Sequence, residues 1–334
     1  MTTMKIAIPM AGLGTRLRPH TWSKPKPLIF LAGKTVLDYV LAQFSTLPGL
    51  FTPEFVFIVG PQGDQIKAYM DQMHPRLKVD YVVQTDMRGQ SDALYQARQY
   101  LTGPMLMTFS DTLIETDLTF LEKESCDGIA WVKPVPDPRR FGVAQLNTDG
   151  CVTRLVEKPQ DLSNNLALVG FYYFKSGEML IRAIEEQFSK KITLKDEYFL
   201  ADAVNLLLEQ NKQVRTEQVN VWLDAGTPEA LLSTNQYLLE HGSANGATIK
   251  RENVAIIPPV SIHETARVEN SVIGPYVSIG AECYLQKVVV RNSIIDEGAQ
   301  VSQVILEDSI LGRYVQWEGQ AARLNLGDQS WAMR

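Results

Sequence analysis

The stretch MKIAIPMAGLGTRLRPHTWSKPKPL, residues 4–28, joins an apolar run of strand length to a loop rich in glycine, proline and positive charge. Residues 9–28 contain two glycines, four cationic side chains and four prolines, although the whole chain carries a net charge of −6. Glycines let backbone N–H groups approach an anion closely, and prolines fix the dihedral φ around Lys26. The stretch therefore predicts a phosphate-binding loop at the end of a strand.

The composition is that of an ordinary globular protein. The 334 residues are 45% hydrophobic and 21% charged, enough for two domains with buried cores. The acidic balance argues against nucleic-acid binding, which needs a broad basic surface. Cys126, Cys151 and Cys283 lie far apart, so neither a disulfide framework nor a zinc site is predicted. Neither a signal sequence nor a run of about 20 apolar residues is present, so we expect a soluble, cytoplasmic protein without membrane partners.

Strand-like and helix-like segments alternate over the first hundred residues. MKIAIPM, FVFIVG, LKVDYVV and MLMTFS have strand length, and helical periodicity lies near residues 35–44, 62–73 and 91–101. This order predicts a mostly parallel α/β sheet with helices on both faces. Ligands bind such sheets at the carboxyl ends of the strands, where both the glycine loop and Asp111 fall. We interpret the mixed strands and helices up to residue 240 as an elaboration of one domain, 1–240.

The period changes after residues 241–253, which are rich in small and polar residues and are predicted to be a linker. In the second domain, 254–334, apolar residues recur every five or six positions: Ile262, Val268, Ile273, Ile279, Leu285, Val290, Ile295, Val301, Leu306 and Leu311. This spacing predicts a short left-handed β-helix of hexapeptide repeats, about three coils long. A small β-sandwich is the alternative. Because a short solenoid has exposed ends, we expect a homo-oligomer formed through this domain.

Two familiar phosphate-binding motifs are each incomplete in this sequence. Gly12 and Gly14 begin a G-x-G-x-x-G pattern, but Leu17 occupies the third glycine position. Gly33-Lys34-Thr35 imitates the end of a P-loop, but Leu28 stands where that loop needs glycine. The remaining pattern is G-L-G-T-R with Lys26 ten residues after Arg16. A planar guanidinium and a compact ammonium beside a glycine turn suit a triphosphate.

This pattern resembles the signature G-x-G-T-R-L, followed by P-K, of the sugar-1-phosphate nucleotidylyltransferases. The likeness covers residues 4–240, and it continues through Gln84 and Gly89, FSDT at Asp111, the E-K-P at 157–159, Gly170, DEYFLAD at 196–202 and WLDAGTP at 222–228. Many members also carry a hexapeptide solenoid. The resemblance implies a Rossmann-like nucleotidyltransferase domain followed by the β-helix, and an enzyme that joins a nucleoside triphosphate to a sugar 1-phosphate and releases pyrophosphate.

The resemblance also implies a role for each matched residue. Arg16, Lys26 and Asp111 would be catalytic. Ala11, Gly12, Gly14, Thr15, Gln84 and Gly89 would bind the nucleotide, and Gly142, Glu157, Lys158, Gly170 and Glu197 the sugar phosphate. Asp111 and Asp224 would share a Mg²⁺ ion, for which two carboxylates with phosphate oxygens are a suitable donor set.

Several alternatives stay open. A glutamine amide can donate and accept, which suits uracil or thymine. The domain order resembles that of the long-chain glucose-1-phosphate thymidylyltransferases, which implies dTTP with glucose 1-phosphate first and UTP with glucose 1-phosphate second. UTP with N-acetylglucosamine 1-phosphate and GTP with mannose 1-phosphate follow. The family often has G-T-A-x-A where this chain has Gly89-Gln90-Ser91-Asp92-Ala93, and glycine where it has Ser110. Acyl transfer by the solenoid would need a histidine, and only His263 lies there. A non-catalytic regulatory subunit is the rival from another class.

Overall fold

The computed structural model describes residues 2–160, 162–246 and 253–319 and divides the chain into two compact units. The first unit contains residues 1–29 and 35–230, and the second contains residues 30–34 and those from 231 onward. Residues 247–252 of the predicted linker and 320–334 of the predicted tail lie outside the described residues. Within the described ranges, no helix is long and apolar enough to cross a bilayer. The boundaries expected at residues 240 and 254 stay a prediction.

Among the residues that the structure describes, thirteen strands and six α-helices precede the solenoid. The strands are β1 (Thr2–Met10), β2 (Phe30–Leu31), β3 (Lys34–Thr35), β4 (Phe51–Val59), β5 (Val79–Val83), β6 (Met105–Thr108), β7 (Thr112–Ile114), β8 (Gly128–Pro134), β9 (Gly142–Leu146), β10 (Val152–Glu157), β11 (Leu166–Phe174), β12 (Val214–Gln218) and β13 (Trp222–Asp224). The helices are α1 (Val36–Ala42), α2 (Gly63–Met73), α3 (Gln90–Gln96), α4 (Gly177–Ser189), α5 (Leu200–Glu209) and α6 (Pro228–Leu238).

The central sheet explains why the glycine loop lies where a ligand can reach it. β5, β4, β1 and β6 lie side by side in that order and run parallel, so the first four sheet strands have the order 3-2-1-4. This order reverses between β1 and β6. Ligands bind α/β sheets at the carboxyl ends of the strands beside such a reversal. The loop after β1 and the turn after β6 both leave the sheet at this point.

The second half of the sheet is antiparallel, because β11 returns beside β6 and carries β8 and β9 with it. β12 then runs parallel to β8, and β10 closes the other edge against β9. Helices α3, α4 and α5 supply a buried apolar cluster on one face of this region. The irregular half predicted from the sequence is thus an extension of the same sheet.

Within residues 253–319, the solenoid has twelve short strands. They are β14 (Val254–Ile256), β15 (Val260–Ile262), β16 (Arg267–Glu269), β17 (Ser271–Ile273), β18 (Val277–Ile279), β19 (Tyr284–Gln286), β20 (Val289–Arg291), β21 (Ser293–Ile295), β22 (Gln300–Ser302), β23 (Ile305–Glu307), β24 (Ile310–Leu311) and β25 (Gln316–Glu318). Every third strand pairs in parallel, which gives three four-stranded sheets. This is a parallel β-helix, so the expected fold class is confirmed.

Each predicted apolar position falls on one strand of the β-helix, from β15 to β24. Pairing stacks them into columns such as Ile262, Ile279, Ile295 and Leu311. The first eight are at most 5% exposed. Strands β14 and β25 extend the columns at both ends through Ile256 and Trp317. Residues 253–319 of the β-helix therefore form four coils rather than the expected three, because the repeat weakens at both ends of this range.

Asn235 holds three parts of the second unit together. Its side chain is fully buried and lies on α6. Its Oδ1 accepts hydrogen bonds from the Ala32 N–H, in the turn between β2 and β3, and from the Ser278 hydroxyl on β18. Its Nδ2 donates to the carbonyl of Tyr276. The turn at residues 32–33 is thereby fixed to the β-helix, far along the chain from its neighbours in sequence.

Candidate active site

The glycine loop folds into tight turns that present its cations. Gly14 has φ +58°, and Thr15–Leu17 form a 3-10 turn directly after it. The Thr21 hydroxyl donates to the Gly14 carbonyl at 2.8 Å, and a β-carbon on Gly14 would lie 3.0 Å from Thr21 Cγ2. Glycine is therefore required there both for the backbone conformation and for space.

Lys26 begins a second 3-10 turn, Lys26–Leu28, with a proline on either side. Its Nζ forms an ion pair with Oδ2 of Asp111, which follows β6. The Lys26 side chain is 11% exposed, so the ammonium has few positions open to it. The paired prolines and the ion pair hold this positive charge at the carboxyl edge of the sheet.

Asp224 is brought beside Asp111 by a short pair of strands. β13 runs antiparallel to β7 with Asp224 opposite Thr112, and the Ala225 N–H donates to the Asp111 carbonyl. Desolvation within the site and the charge of Asp111 raise the pKa of Asp224, while Lys26 and Arg16 oppose this. A β-carbon on Gly226 would lie 2.8 Å from Asp224 Oδ1 and 3.2 Å from Arg16 Nη2. Two carboxylates and two cations therefore converge on one point.

The carboxylates of Asp111 and Asp224 are suitable ligands for a divalent metal ion. Asp111 and Asp224 supply hard carboxylate oxygens, the ligands that Mg²⁺ prefers. No group of three or more acidic, histidine or cysteine residues suited to a metal occurs among residues 2–160, 162–246 and 253–319. A pair of carboxylates suits a metal that completes its shell with water and phosphate oxygens.

A cavity of about 360 Å³ lies over this cluster. Its walls include Gly12, Gly14, Thr15, Arg16, Lys26, Asp111 and Gly226, together with Gln90. Ala11 is buried beneath the loop, where its carbonyl approaches Gly60. Gly12, Gly14 and Thr15, predicted to bind the triphosphate, thus line one concave space together with Arg16, Lys26 and Asp111.

A second cavity, of about 630 Å³, shares Arg16, Gln90 and Asp111 with the first. Gly142 and Gly170, both predicted from the sequence, line it together with Glu157 and Asp224. Glu157 lies opposite Gly142 in the β9–β10 pair, and a β-carbon on Gly142 would lie 2.9 Å from its Oε2. Burial raises the pKa of Glu157, and the charges of Asp202 and Glu197 add to this effect while Lys158 opposes it. The larger cavity therefore combines a carboxylate with apolar walls.

The remaining predicted sugar-site residues differ in position. Gly170 has φ +83° and packs so closely on Phe109 that a β-carbon would lie 2.3 Å from the ring. Lys158 Nζ lies 4.8 Å from the centre of the Phe199 ring and 4.0 Å from Glu157 Oε1, and Lys158 is not among the side chains that line the two cavities. Glu197 is exposed and forms a turn with Leu194.

Gln84 and Gly89 occupy the same carboxyl edge of the sheet. Gln84 follows β5 directly, and Met10, Val59 and Val83 stand in register across β1, β4 and β5. The Gln84 amide nitrogen donates to Asp92 Oδ2 at 2.9 Å. Gly89 has φ +103° and lies against the Tyr198 backbone, where a β-carbon would meet the carbonyl oxygen at 2.5 Å. The amide nitrogen expected to contact a base is therefore already engaged by the protein.

Sequence reasoning missed several side chains of the two cavities. Gln90 lines both of them, and Lys133, Arg140, Phe141 and Trp222 line the larger one. The Phe141 and Trp222 rings make an edge contact with centroids 4.9 Å apart. The segment KPVPDPRRF, residues 133–141, repeats the mixture of prolines and cations seen around Lys26, and that repetition was the available signal.

Comparison with known proteins places these features in context. The nucleotidyl transferase family model matches residues 7–241, and a model of the GlmU-like C-terminal hexapeptide region matches residues 236–314. The chain is similar to glucose-1-phosphate thymidylyltransferase of Streptomyces griseus, with 30% identity over 360 residues that cover 98% of this chain and 99% of the relative. It is also similar to the low-salt glycan biosynthesis nucleotidyltransferase Agl11 of Haloferax volcanii, with 30% identity over 93% of this chain and 92% of that one.

Two further similarities are partial. The bifunctional protein GlmU of Methanococcus vannielii is 30% identical over 268 residues, which cover 78% of this chain and 61% of that protein. The crystal structure of UDP-glucose pyrophosphorylase with UDP-glucose superposes with a TM-score of 0.62 at 21% identity, over 72% of this chain and 100% of that chain. The structural likeness supports the fold.

Proposed function

Because the chain belongs to the nucleotidyl transferase family, we propose that it transfers a nucleotidyl group from a nucleoside triphosphate to a sugar 1-phosphate and releases pyrophosphate. The family predicted from the sequence is confirmed by its matched length and by full-length relatives. The observation that carries the proposal is the convergence of Arg16, Lys26, Asp111 and Asp224 on one pair of joined cavities.

Charge stabilisation is the main task of the protein in this reaction. A sugar-phosphate oxygen attacks the α-phosphorus in line, a new P–O bond forms, and the bond to the β-phosphate breaks. Lys26 offsets negative charge at the α-phosphate, and Arg16 holds the departing pyrophosphate. The backbone of Gly12, Gly14 and Thr15 binds the phosphate oxygens. The smaller cavity holds the triphosphate in this arrangement.

The larger cavity is suited to the sugar 1-phosphate. Glu157 accepts hydrogen bonds from sugar hydroxyls, and the Gly142 backbone lies beside it. Aromatic walls such as Phe141 and Trp222 pack against the apolar faces of a pyranose ring. Lys158, Glu197 and Gly170 are proposed to complete the sugar-phosphate site. Arg140 and Lys133 supply further positive charge toward the anionic substrate.

Asp111 and Asp224 are the proposed ligands of Mg²⁺, which would offset phosphate charge when bound. Removal of either carboxylate would leave a single protein ligand. Lys26 is paired with Asp111 in this structure and would turn toward phosphate once substrate binds. The charge of Lys26 thus neutralises the carboxylate pair before substrate binds and the phosphate afterwards.

The favoured substrates are dTTP or UTP with glucose 1-phosphate. Full-length similarity to glucose-1-phosphate thymidylyltransferase supports this choice. N-acetylglucosamine 1-phosphate with UTP and mannose 1-phosphate with GTP remain the alternative pairs. Such substrates are cytoplasmic metabolites, so the cytoplasm is the proposed location.

The test is pyrophosphate release with Mg²⁺ across five nucleoside triphosphates and the 1-phosphates of glucose, N-acetylglucosamine, glucosamine, galactose and mannose. One strongly preferred pair is the expected result. Folded protein that binds nucleotide but releases no pyrophosphate with any pair would contradict the proposal and favour a regulatory subunit. The Asp224→Asn variant is the matched control for background hydrolysis, because it keeps the shape of the site but removes one proposed metal ligand.

We also propose a homo-oligomer formed through the β-helix. Ala255, Val272, Val289 and Ile305 are stacked in register on its β14, β17, β20 and β23 face. Val289 is 41% and Ile305 75% exposed, which makes an apolar stripe on the outside of the solenoid. Light scattering should report a smaller species for a Val289→Lys, Ile305→Lys double variant. Gln300→Lys, on the polar face of β22, is the control. Equal masses for the unaltered protein, the double variant and Gln300→Lys would contradict this interface.

A further inference from the structure

We propose that Asp92 is a positioning residue, which turns the side-chain amide of Gln84 so that its carbonyl oxygen faces the nucleobase. The site would then select bases that present a ring N–H. This inference rests on the proposed function, in which Gln84 contacts the base.

The contacts of Gln84 leave only one of its polar atoms for a ligand. The residue is 4% exposed, and its Nε2 donates to Asp92 Oδ2 at 2.9 Å and to the Gly89 carbonyl at 3.5 Å. Both amide hydrogens are thereby directed at the protein. Within residues 2–160, 162–246 and 253–319, no group donates a hydrogen bond to Gln84 Oε1. Oε1 is the acceptor left for a base.

Asp92 cannot accept the reverse orientation of that amide. A carboxylate has acceptor oxygens only, so a flipped Gln84 would bring Oε1 against Oδ2 at hydrogen-bond distance. Asp92 is fully buried, and its other oxygen, Oδ1, accepts from Arg88 Nη2 at 2.6 Å. Because this ion pair occupies Oδ1, the carboxylate cannot turn away without leaving a buried charge unpaired. The orientation of Gln84 is therefore determined by Asp92, which stands at the unspecified position of the G-T-A-x-A pattern.

The position of this pair fits a nucleobase site. Gln84 leaves β5 at the edge where the glycine loop leaves β1, two strands away and about 10 Å across the sheet. Gln90, in the first turn of α3 with Asp92, lines the smaller cavity beside Arg16 and Lys26. A nucleotide with its phosphates on the glycine loop can thus extend its base toward Gln84.

A hydrogen-bond acceptor at Gln84 distinguishes uracil and thymine from cytosine by the protonation of ring atom N3. Uracil and thymine carry a hydrogen on N3, which donates to a carbonyl oxygen. Cytosine has an unprotonated N3 that would face Oε1 lone pair to lone pair. A site that hydrogen-bonds an N–H rejects an analogue lacking it, because its polar group is then left unpaired.

The first experiment uses the unaltered protein. Dissociation constants for UTP, CTP and 3-methyluridine triphosphate are measured without sugar, and kcat/KM is measured with glucose 1-phosphate. UTP should bind at least about tenfold more tightly than the other two, since each loses one hydrogen bond. Equal binding of all three, or no pyrimidine binding, would overturn the inference even if the protein turns over other substrates. Selective binding without turnover would instead contradict the proposed function alone.

The second experiment compares Asp92→Asn with Asp86→Asn, an exposed acid in the same loop. An asparagine side chain at position 92 can present either an oxygen or an N–H to Gln84, so the Gln84 amide becomes free to reverse. The UTP-to-CTP ratio of binding constants should fall at least about tenfold in Asp92→Asn and stay unchanged in Asp86→Asn. An unchanged ratio in folded Asp92→Asn would overturn the proposal. If that variant fails to fold, Arg88→Gln takes its place, because loss of the ion pair at Oδ1 leaves the Asp92 carboxylate able to turn away from Gln84, and an unchanged UTP-to-CTP ratio in that variant would overturn the proposal.

Discussion

Lys26 is held between two prolines and paired with Asp111, so its charge is placed before any substrate binds. Replacing it with alanine should lower kcat by about 10²–10³-fold, the effect of losing one preorganised charge-stabilising donor. Steady-state pyrophosphate release measures the change. Arg18→Ala, an exposed cation of the same loop that is not part of either cavity wall, should retain turnover. A rate for Lys26→Ala within a few fold of the unaltered protein would remove Lys26 from the mechanism.

The sequence identifies candidate site residues, but it does not identify the groups to which they are hydrogen-bonded. Arg16, Lys26 and Asp111 stand out because cations beside glycines, and acids after strands, have few structural reasons to occur there. The hydrogen bond from Gln84 to Asp92 joins residues eight apart, one after a strand and one within a helix. No local pattern distinguishes a glutamine that donates to a base from one whose hydrogens are already engaged. That distinction required the tertiary structure.

Helices α1 and α2 are joined by a partly buried carboxylate, Asp38, which completes the capping box of Thr35. Burial raises its pKa, but hydrogen bonds from Tyr69, Thr35 and His74 outweigh burial and the net shift is downward. The folded state thus binds the Asp38 proton more weakly than the unfolded chain. The stabilisation is complete above the unfolded pKa, near 3.8, and is lost as the pH falls through the lower folded value.

Asp38→Asn should therefore lower the free energy of unfolding at pH 7 by about 1–3 kcal/mol. The difference from the unaltered protein should shrink as the pH falls through the unfolded value and below it. Urea unfolding at several pH values measures it, and Asp64→Asn, exposed on α2, is the control. A constant difference between pH 7 and the acid limit would contradict this account of the helix pair.

Elements with a regular apolar repeat were predicted from the sequence, but the residues at which they end were predicted less well. The helix expected at 62–73 is α2 over 63–73, because its apolar residues recur at helical spacing. The segment expected at 91–101 contains only α3, which ends at Gln96. The described β-helix has a fourth coil because β14 and β25 pair in register with their neighbours, although the apolar repeat is weaker there and Trp317 is 58% exposed. Tertiary packing and strand pairing, rather than periodicity, set these ends.

The stability of the second unit depends on hydrogen bonds that Asn235 makes with residues far away in the sequence. Asn235→Ala would leave the buried donors of Ala32 and Ser278 without their acceptor, at a cost of about 2–4 kcal/mol of unfolding free energy. Urea denaturation followed by circular dichroism would detect the loss. Gln300→Ala, which removes an exposed amide from β22 of the same unit, should change stability by less than about 0.5 kcal/mol. Equal effects of the two substitutions would show that the three-way contact is not stabilising.

The same contact has a consequence for biosynthesis on the ribosome. The turn at residues 32–33 is synthesised before its partner Asn235, which is 203 residues further on. At about 5–20 residues per second, that interval corresponds to roughly 10–40 s of translation between the synthesis of Ala32 and that of Asn235. The hydrogen bond from the Ala32 N–H to Asn235 can therefore form only after most residues of the first unit have been synthesised.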